Sequence, residues 1–478
     1  MRLSSHDASF IYSETASGPQ HGITISVLGG AATFDEIYLY ISDRIHLMPR
    51  LRQRLVMVPF NMAHPKWVDD PDFDLRHHIK AAEVPQDTTI EAAIDIALGL
   101  GEPLLDRTKP LWLNYILEGV EGKTLWVQLL HHAFVDGATL VALSMIMTDP
   151  TAEANGPEPS TLTWQPPALP RPEELLREAT VEQGRATFDT FTNPGAFALP
   201  ADEIPKSMAF MTRLNTPVMQ APWNASMVGP KRKLSVLEYT LEEFKYIRKH
   251  LGGTVNDVAM SIATEGAARY MQAQNELVEN RYIRTMCPVD VRDGDVDPEN
   301  LEGNRVSAMF PRVPAWPMGM EKRFSEVKQE LDGIKSRQEP ETLDAIQRSQ
   351  PPVPPTAMAA SLQVGSQFDP TASMAQNPLP IMPFSGFRPE QAGFNFTVTN
   401  VPGSNWVQYI AGYEIEKVFG TLMLGGTLGL GVGIGTYAGQ LLLGVTTDPR
   451  LADAKAFSLC VDESYGELMA LAVKADKG

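Results

Sequence analysis

Leu129-Leu130-His131-His132-Ala133-Phe134-Val135-Asp136-Gly137 is the stretch from which the rest of the chain becomes readable. An apolar run ending in two adjacent histidines reads as a strand, and the Asp-Gly pair after it reads as a turn that launches a helix. The imidazoles therefore stand at a strand-to-helix junction, a place where active sites concentrate. Successive strand side chains point to opposite faces, so His131 and His132 cannot both look into one pocket. One acts and the other supports. Asp136 is expected to hold the loop by accepting backbone or arginine hydrogen bonds, because Gly137 and the turn do not suit a triad.

Working outward, Leu111 to Glu118 and Thr124 to His131 read as neighbouring strands around a turn at Gly119 to Gly122, with a helix over Ala138 to Met147. His21 to Leu28 reads as another strand. Thr33-Phe34-Asp35-Glu36 and Thr88-Thr89-Ile90-Glu91 have capping-box spacing, so a helix starts after each. Residues 1–150 thus form one α/β unit. From Asp149 to about Gln220 the composition turns to proline, threonine and alanine, with only a weakly amphipathic run near Leu175 to Phe191, and residues 151–220 read as a connector. A second α/β unit over 221–478 follows, with a basic patch at Lys231-Arg232-Lys233, a helix from Asn256, and strands at Arg284 to Val291 and Asn304 to Val313. Its Gln350 to Pro389 interruption is expected to be a mobile loop.

One stretch imitates a membrane span. Between Lys417 and Asp448 there is no charge, and a bilayer needs only about 20 apolar residues. Leu428, Leu430, Val432 and Ile434, however, alternate with Gly429, Gly431, Gly433 and Gly435, a period of two that belongs to a strand. Tyr437-Ala438-Gly439 then turns the chain into Gln440 to Val445, so a hairpin is expected. The glycine face of that strand either walls a tunnel or admits close packing of a helix.

With 478 residues, 40 Lys+Arg and 58 Asp+Glu, the net charge is −18. The length suits two or three domains and excludes a small stapled scaffold. Such acidity argues against a nucleic-acid partner, whose binding rests on many cationic contacts to phosphate. Cys287 and Cys460 fit no disulfide or metal spacing and read as thiols in a reducing, cytoplasmic setting. The N-terminus has no apolar core of a signal peptide and reads as mature protein. No G-x-x-x-x-G-K-[ST] and no G-x-S-x-G occurs, which removes the P-loop and nucleophile-elbow chemistries.

The HHxxxDG motif of residues 131–137 resembles the active-site motif of the CoA-dependent acyltransferase superfamily, and within it the bacterial wax ester synthase/acyl-CoA:diacylglycerol acyltransferase family. Other segments are similar to that family in the same order: Ser5-His6-Asp7-Ala8-Ser9-Phe10, Pro110-Leu111-Trp112, Asn224 with Gly229 to Arg232, and Thr254-Val255-Asn256-Asp257-Val258. Pro288-Val289-Asp290-Val291-Arg292, Gly303-Asn304 and Thr399-Asn400-Val401-Pro402-Gly403 complete the series. The resemblance covers nearly the whole chain, departing at the glycine-alternating strand and at Ser404.

It implies an α/β fold of two chloramphenicol-acetyltransferase-like domains, each a mixed sheet flanked by helices, with an active-site tunnel between them. It also implies acyl transfer from acyl-CoA, a co-substrate rather than a cofactor, to a fatty alcohol or diacylglycerol. An alcohol is a poor nucleophile until a base takes its proton, and imidazole, with a pKa of about 6.5, suits that task. By the resemblance His132 is that base, His131 supports it, and no metal is required. Peripheral association with a membrane or lipid inclusion follows, with the Met-rich stretches Ser207 to Met219 and Met358 to Met382 as lids or lipid-facing surface.

The remaining candidates each carry two readings. Asn256 is either a helix N-cap or a site residue, and Asp257 either complements the helix dipole or faces substrate. Arg292 is a partner for Asp136 by analogy with the superfamily. Lys231, Arg232 and Lys233 are either a solvated charge run or the ligands of CoA phosphates. His77-His78, with no Asp-Gly after it, is expected at the surface without a catalytic role. At the level of function, a condensation-like or short-alcohol or amine acyltransferase and a non-catalytic lipid-binding protein stand as alternatives.

Overall fold

The computed structural model describes residues 1–134, 137–154, 156–157, 164–290, 306–350, 353–367, 390–391 and 393–477. Two sheets dominate. In the first, strands lie in the order Tyr409–Ile410, Tyr413–Gly420, His21–Leu28, Lys123–His131, Trp112–Val120 and Ile79–Ala81. The second runs Val306–Met309, Tyr282–Asp290, Phe396–Pro402, Leu430–Tyr437, Gln440–Thr447 and Lys233–Thr240, with Arg312–Pro314 also paired to Tyr282–Asp290. Each sheet has its own apolar core. The mixed α/β class expected from the sequence is present.

Local chemistry explains where the elements start. Thr33 caps the helix Phe34–Arg44 in a reciprocal capping box with Glu36. At the second expected box the cap is Thr89, not Thr88: Thr89 accepts the Ala92 N–H at the start of Ile90–Leu100, while the Thr88 hydroxyl donates to the Pro85 carbonyl at 2.6 Å. The expected hairpin is Leu430–Tyr437 paired antiparallel with Gln440–Thr447, its turn made by Ala438 at φ 47° and Gly439 at φ 83°. Among the described residues no helix is long and apolar enough to cross a membrane.

Three segments hold more structure than the sequence reading described. Within residues 151–220, Pro172–Thr192, at the weakly amphipathic run, and Glu203–Leu214 are helices, the first opening with proline in its first turn. Leu175 and Ala179 of the first helix bury against Val58 and Ala63 of the N-terminal unit. Of the interruption at 350–389, Pro355–Gln367 is a helix lying against Ser5–Ser13, with Ala359 in the first core, and residues 368–389 lie outside the described residues. Finally, the segment from Tyr409 to Gly420 leaves the second half of the chain and completes the first sheet beside His21–Leu28.

That crossing is fastened by Asp149, just beyond the helix Gly137–Met147. Its backbone bridges Tyr409, and its carboxylate accepts two hydrogen bonds from Arg44, at 2.8 and 2.9 Å, and one from the Tyr40 hydroxyl at 2.8 Å. Arg44 is buried, so the pair carries weight that an exposed one would not.

The glycine face is settled by pairing. Gly431, Gly433 and Gly435 lie opposite Thr397, Thr399 and Val401 on one side and Thr446, Gly444 and Leu442 on the other, so these residues share a face. Leu442 belongs to the first core, and the face is therefore the one turned toward the first sheet. No helix covers it. A Cβ on Gly431 would sit 2.7 Å from Leu422 Cδ1, whereas one on Gly435 would meet nothing within 4 Å. The face is filled by Leu422 at one end and open at the other.

Gly403, at the end of the Thr399 to Gly403 segment, donates its N–H to the Thr436 carbonyl at 3.0 Å, and an added Cβ would run into that same oxygen. Gly403→Ala is expected to destabilise the protein by about 1–3 kcal/mol. Urea unfolding checks this through a lower midpoint at unchanged slope.

Candidate active site

The motif strand ends at His131, and the helix Gly137–Met147 begins at the glycine of the motif, as expected. His131 and His132 have different surroundings, the first at the end of the strand and the second in the turn after it. The His131 ring is fully buried; its Nδ1 accepts the Ala133 N–H at 3.0 Å, and its Nε2 lies 3.3 Å from Oε1 of Glu14. An N–H aimed at Nδ1 places the ring proton on Nε2, facing the carboxylate. His131 thus has both nitrogens engaged and cannot reach substrate. His132 is half-buried instead, its ring stacked on Phe10 at 4.4 Å and its backbone N–H bonded to the Gln20 carbonyl at 2.7 Å. His6 meets the other side of Phe10 edge-on at 5.3 Å.

Glu14 is the residue that sequence reasoning missed. It caps the C-terminus of the helix Ser5–Ser13 and is almost completely buried. Burial alone would raise its pKa. The His131 ring, the Gln20 N–H at 3.0 Å and the Arg107 guanidinium at 2.8 Å outweigh burial and hold it at about 2. Arg107 also donates to the Ile11 carbonyl at 2.8 Å, so one guanidinium ties the end of the N-terminal helix to the carboxylate. No spacing rule could pair position 14 with position 131. The nearest signal was the Ser5 to Phe10 segment, which marks the helix that carries both Phe10 and Glu14.

His21 lies beside His131 in the sheet register. Its Nε2 bonds the Gly101 carbonyl at 2.8 Å, and burial lowers its pKa, so it is a neutral packing group. His78 corrects an expectation: of the pair His77-His78 only His77 is exposed. His78 is buried between Phe73 and Trp112, bonds the Trp112 carbonyl at 2.8 Å, and is driven down to about 4 by burial.

The structure separates the other candidates. Asn256 is not the N-cap; Thr254 is, in a capping box with Asp257, whose carboxylate accepts the Thr254 N–H at 2.6 Å. Asp257 is buried in that box. Asn256 accepts a hydrogen bond from Asn400 Nδ2 at 2.7 Å, which joins two of the quoted segments and ties the helix Val255–Ala273 to the strand Phe396–Pro402. That same strand touches the helix launched by the motif. Asp136 and Arg292, and with them their expected pairing, lie outside the described residues, as do Gly303 and Asn304.

The basic patch is largely occupied. Arg232 donates to the backbone carbonyls of Gly229, Lys231, Ser17 and Leu424, and so stitches three loops together instead of facing solvent. Lys233 pairs with Asp95 at 2.6 Å. Of the three, Lys231 alone is left exposed without an ion pair among the described residues. Cys287 is buried, which pushes its thiol up to about 12, and Cys460 is half-buried; neither is in a disulfide.

The family described as the wax ester synthase/diacylglycerol acyltransferase catalytic domain matches residues 3–259, and its C-terminal domain matches 302–469. A putative diacylglycerol O-acyltransferase of Mycobacterium tuberculosis is 25% identical over 463 residues, which is 94% of this chain and 86% of that one. The structure of a wax ester synthase/diacylglycerol acyltransferase from Marinobacter aquaeolei VT8 superposes with a TM-score of 0.65 at 17% identity, covering 99% of this chain and 100% of that one. A starter condensation domain of rhizomide synthetase, solved with C8-CoA, shares the fold with a TM-score of 0.56 at 14% identity, covering 99% and 94%.

Proposed function

The chain belongs to the wax ester synthase/diacylglycerol acyltransferase family, and on that footing we propose that it moves a long-chain acyl group from acyl-CoA to a fatty alcohol or diacylglycerol, with His132 as general base. The observation that carries the assignment of the base is the division of labour at the motif. His131 has both ring nitrogens engaged by Ala133 and Glu14, while His132, one residue on, is half-buried beside the N-terminal helix. His132 takes the hydroxyl proton as the oxygen attacks the thioester carbonyl; the tetrahedral intermediate collapses, the C–S bond breaks, and CoA leaves as the thiol after taking that proton back. The proposed step uses no metal. General-base catalysis supplies roughly 10²- to 10⁴-fold, so hydrogen-bond donors to the oxyanion must contribute as well.

An acceptor panel tests the reading. Palmitoyl-CoA is incubated with hexadecanol, with dipalmitoylglycerol, with ethanol and with dodecylamine, and products are identified by mass spectrometry. Esters of the two lipid alcohols are expected to dominate. Preference for the amine or for ethanol would move the chain toward condensation-like or short-alcohol chemistry, and absence of any product would favour a lipid-binding role.

The lipid substrates also bear on location. Ile204, Met208 and Met211 fall at i, i+4 and i+7 of the helix Glu203–Leu214, and Phe188 and Phe191 end the helix Pro172–Thr192; all five side chains are exposed. Such apolar side chains suit contact with a lipid surface. The protein is expected to float with phosphatidylcholine liposomes containing diacylglycerol, and Phe188→Ser with Phe191→Ser to lose most of that binding. Recovery of the wild type wholly in the unbound fraction would rule the surface out.

A further inference from the structure

Away from the histidines, a cavity of about 220 Å³ opens between the helix Glu203–Leu214 and the edge of the second sheet. Its lining gathers three guanidinium groups, from Arg213, Arg284 and Arg312, against two carboxylates, from Glu330 and Glu339. Both carboxylates are already engaged. Glu330 accepts from Arg213 at 3.1 Å and from the Arg312 backbone N–H at 3.2 Å, and Glu339 is paired with Arg213 at 3.2 Å and with Arg337 at 2.6 Å.

The other two arginines have no acidic partner among the described residues. Arg284 is buried and directs its four hydrogen bonds at backbone carbonyls, those of Leu214, Gly393, Arg213 and Thr216. Arg312 stands directly across the ladder from Arg284, its guanidinium stacked 3.7 Å over the Tyr282 ring, and its buried Nε has no acceptor among the described residues. Burial, with the neighbouring charges of Arg312 and Arg213, holds Arg284 down at about 10 against the opposing pull of Glu330. In a chain of net charge −18 such local excess is uncommon, and an unsatisfied buried donor is costly.

The pocket also lies on a definite side of the molecule. Thr285 pairs with Phe396 and Met286 with Thr397, so Arg284 shares the face of Thr397 and of the glycine row, the face turned toward the first sheet. Phe210, Leu214 and Phe310 give it an apolar wall beside the guanidinium forks. We infer that this cavity is a binding site for a phosphomonoester, the phosphate held by Arg312 and its neighbours and a small organic body held by the apolar wall. Forked guanidinium donors match a phosphate bidentately, and Arg312 lines the cavity with no acidic partner among the described residues to compete for its fork. The phosphate can be that of a CoA-type nucleotide or of a small free metabolite.

Titration calorimetry of the full chain at constant ionic strength tests the site, with inorganic phosphate and 3′,5′-ADP as probes and chloride as control. Saturable binding of phosphate is expected in the wild type, weakened at least tenfold in Arg312→Gln. Arg312→Lys, which keeps the charge but not the fork, is expected to fall between the two and serves if the glutamine variant does not fold. Tighter binding of 3′,5′-ADP in competition with phosphate assigns the site to the CoA nucleotide, and phosphate binding without nucleotide binding assigns it to a small phosphate. No saturable binding of either probe, or the same affinity in both arginine variants as in the wild type, overturns the inference. The readout is binding alone, so the outcome does not depend on whether His132 catalyses acyl transfer.

Discussion

His132→Ala is expected to lower the rate of acyl transfer by about 10³-fold, within the roughly 10²- to 10⁴-fold that general-base catalysis contributes. The fold should survive, because His132 is half-buried and lies outside the buried core. Thermal unfolding of the variant within a few degrees of the wild type, together with the collapse in CoA-thiol release, is the expected pair of results. A loss of kcat with little change in the KM for acyl-CoA would locate the effect in the transition state. His131→Ala should behave differently: it removes a buried ring held by Ala133 and Glu14, and so lowers stability along with activity.

Glu14 carries the second large effect. Its folded-state pKa of about 2 lies below the ordinary 4.5. The carboxylate therefore contributes stability that is fully present above pH 4.5 and is lost as the pH falls through about 2. That contribution is on the order of 3 kcal/mol, since each unit of pKa difference is worth about 1.4 kcal/mol. In Glu14→Gln most of it should vanish at neutral pH, and the acid limb of the stability curve between pH 4.5 and 2 should flatten. Activity should fall as well, by about tenfold in kcat with KM nearly unchanged, because the Glu14 side chain is almost completely buried and orients the ring next to the proposed base. Urea midpoints measured from pH 7 to pH 2 check the first expectation and steady-state kinetics the second. An unchanged acid limb would mean that Glu14 is not held as an anion by His131 and Arg107.

What could be read from the sequence was local. The strand that ends in His131 and the helix after it are marked by hydrophobic run, Asp-Gly and periodicity within one continuous segment, Lys123 to Met147, and the different surroundings of the two adjacent histidines were legible in the same place. The capping box at Thr33 and the glycine hairpin were legible for the same reason. What stayed hidden depends on distant partners. Arg232 looks solvated because Lys231 and Lys233 flank it, yet its guanidinium is bonded to the carbonyls of Ser17 and Leu424. Thr254 and Asn256 compete for one cap, and only the backbone decides between them. The Tyr413–Gly420 strand shows its alternation but not its sheet, and Glu14 lies 117 positions from the ring it faces, 131 − 14 = 117. The resemblance named the family from short ordered segments; it left the polar network behind the motif for the fold to disclose.

The most direct test is product analysis with the purified full-length chain, palmitoyl-CoA and hexadecanol. One CoA thiol released for each hexadecyl palmitate formed, with the signal abolished in His132→Ala, is the predicted result. Thiol release accompanied by free palmitate instead of ester, or ester formation at the same rate in His132→Ala, would contradict the account.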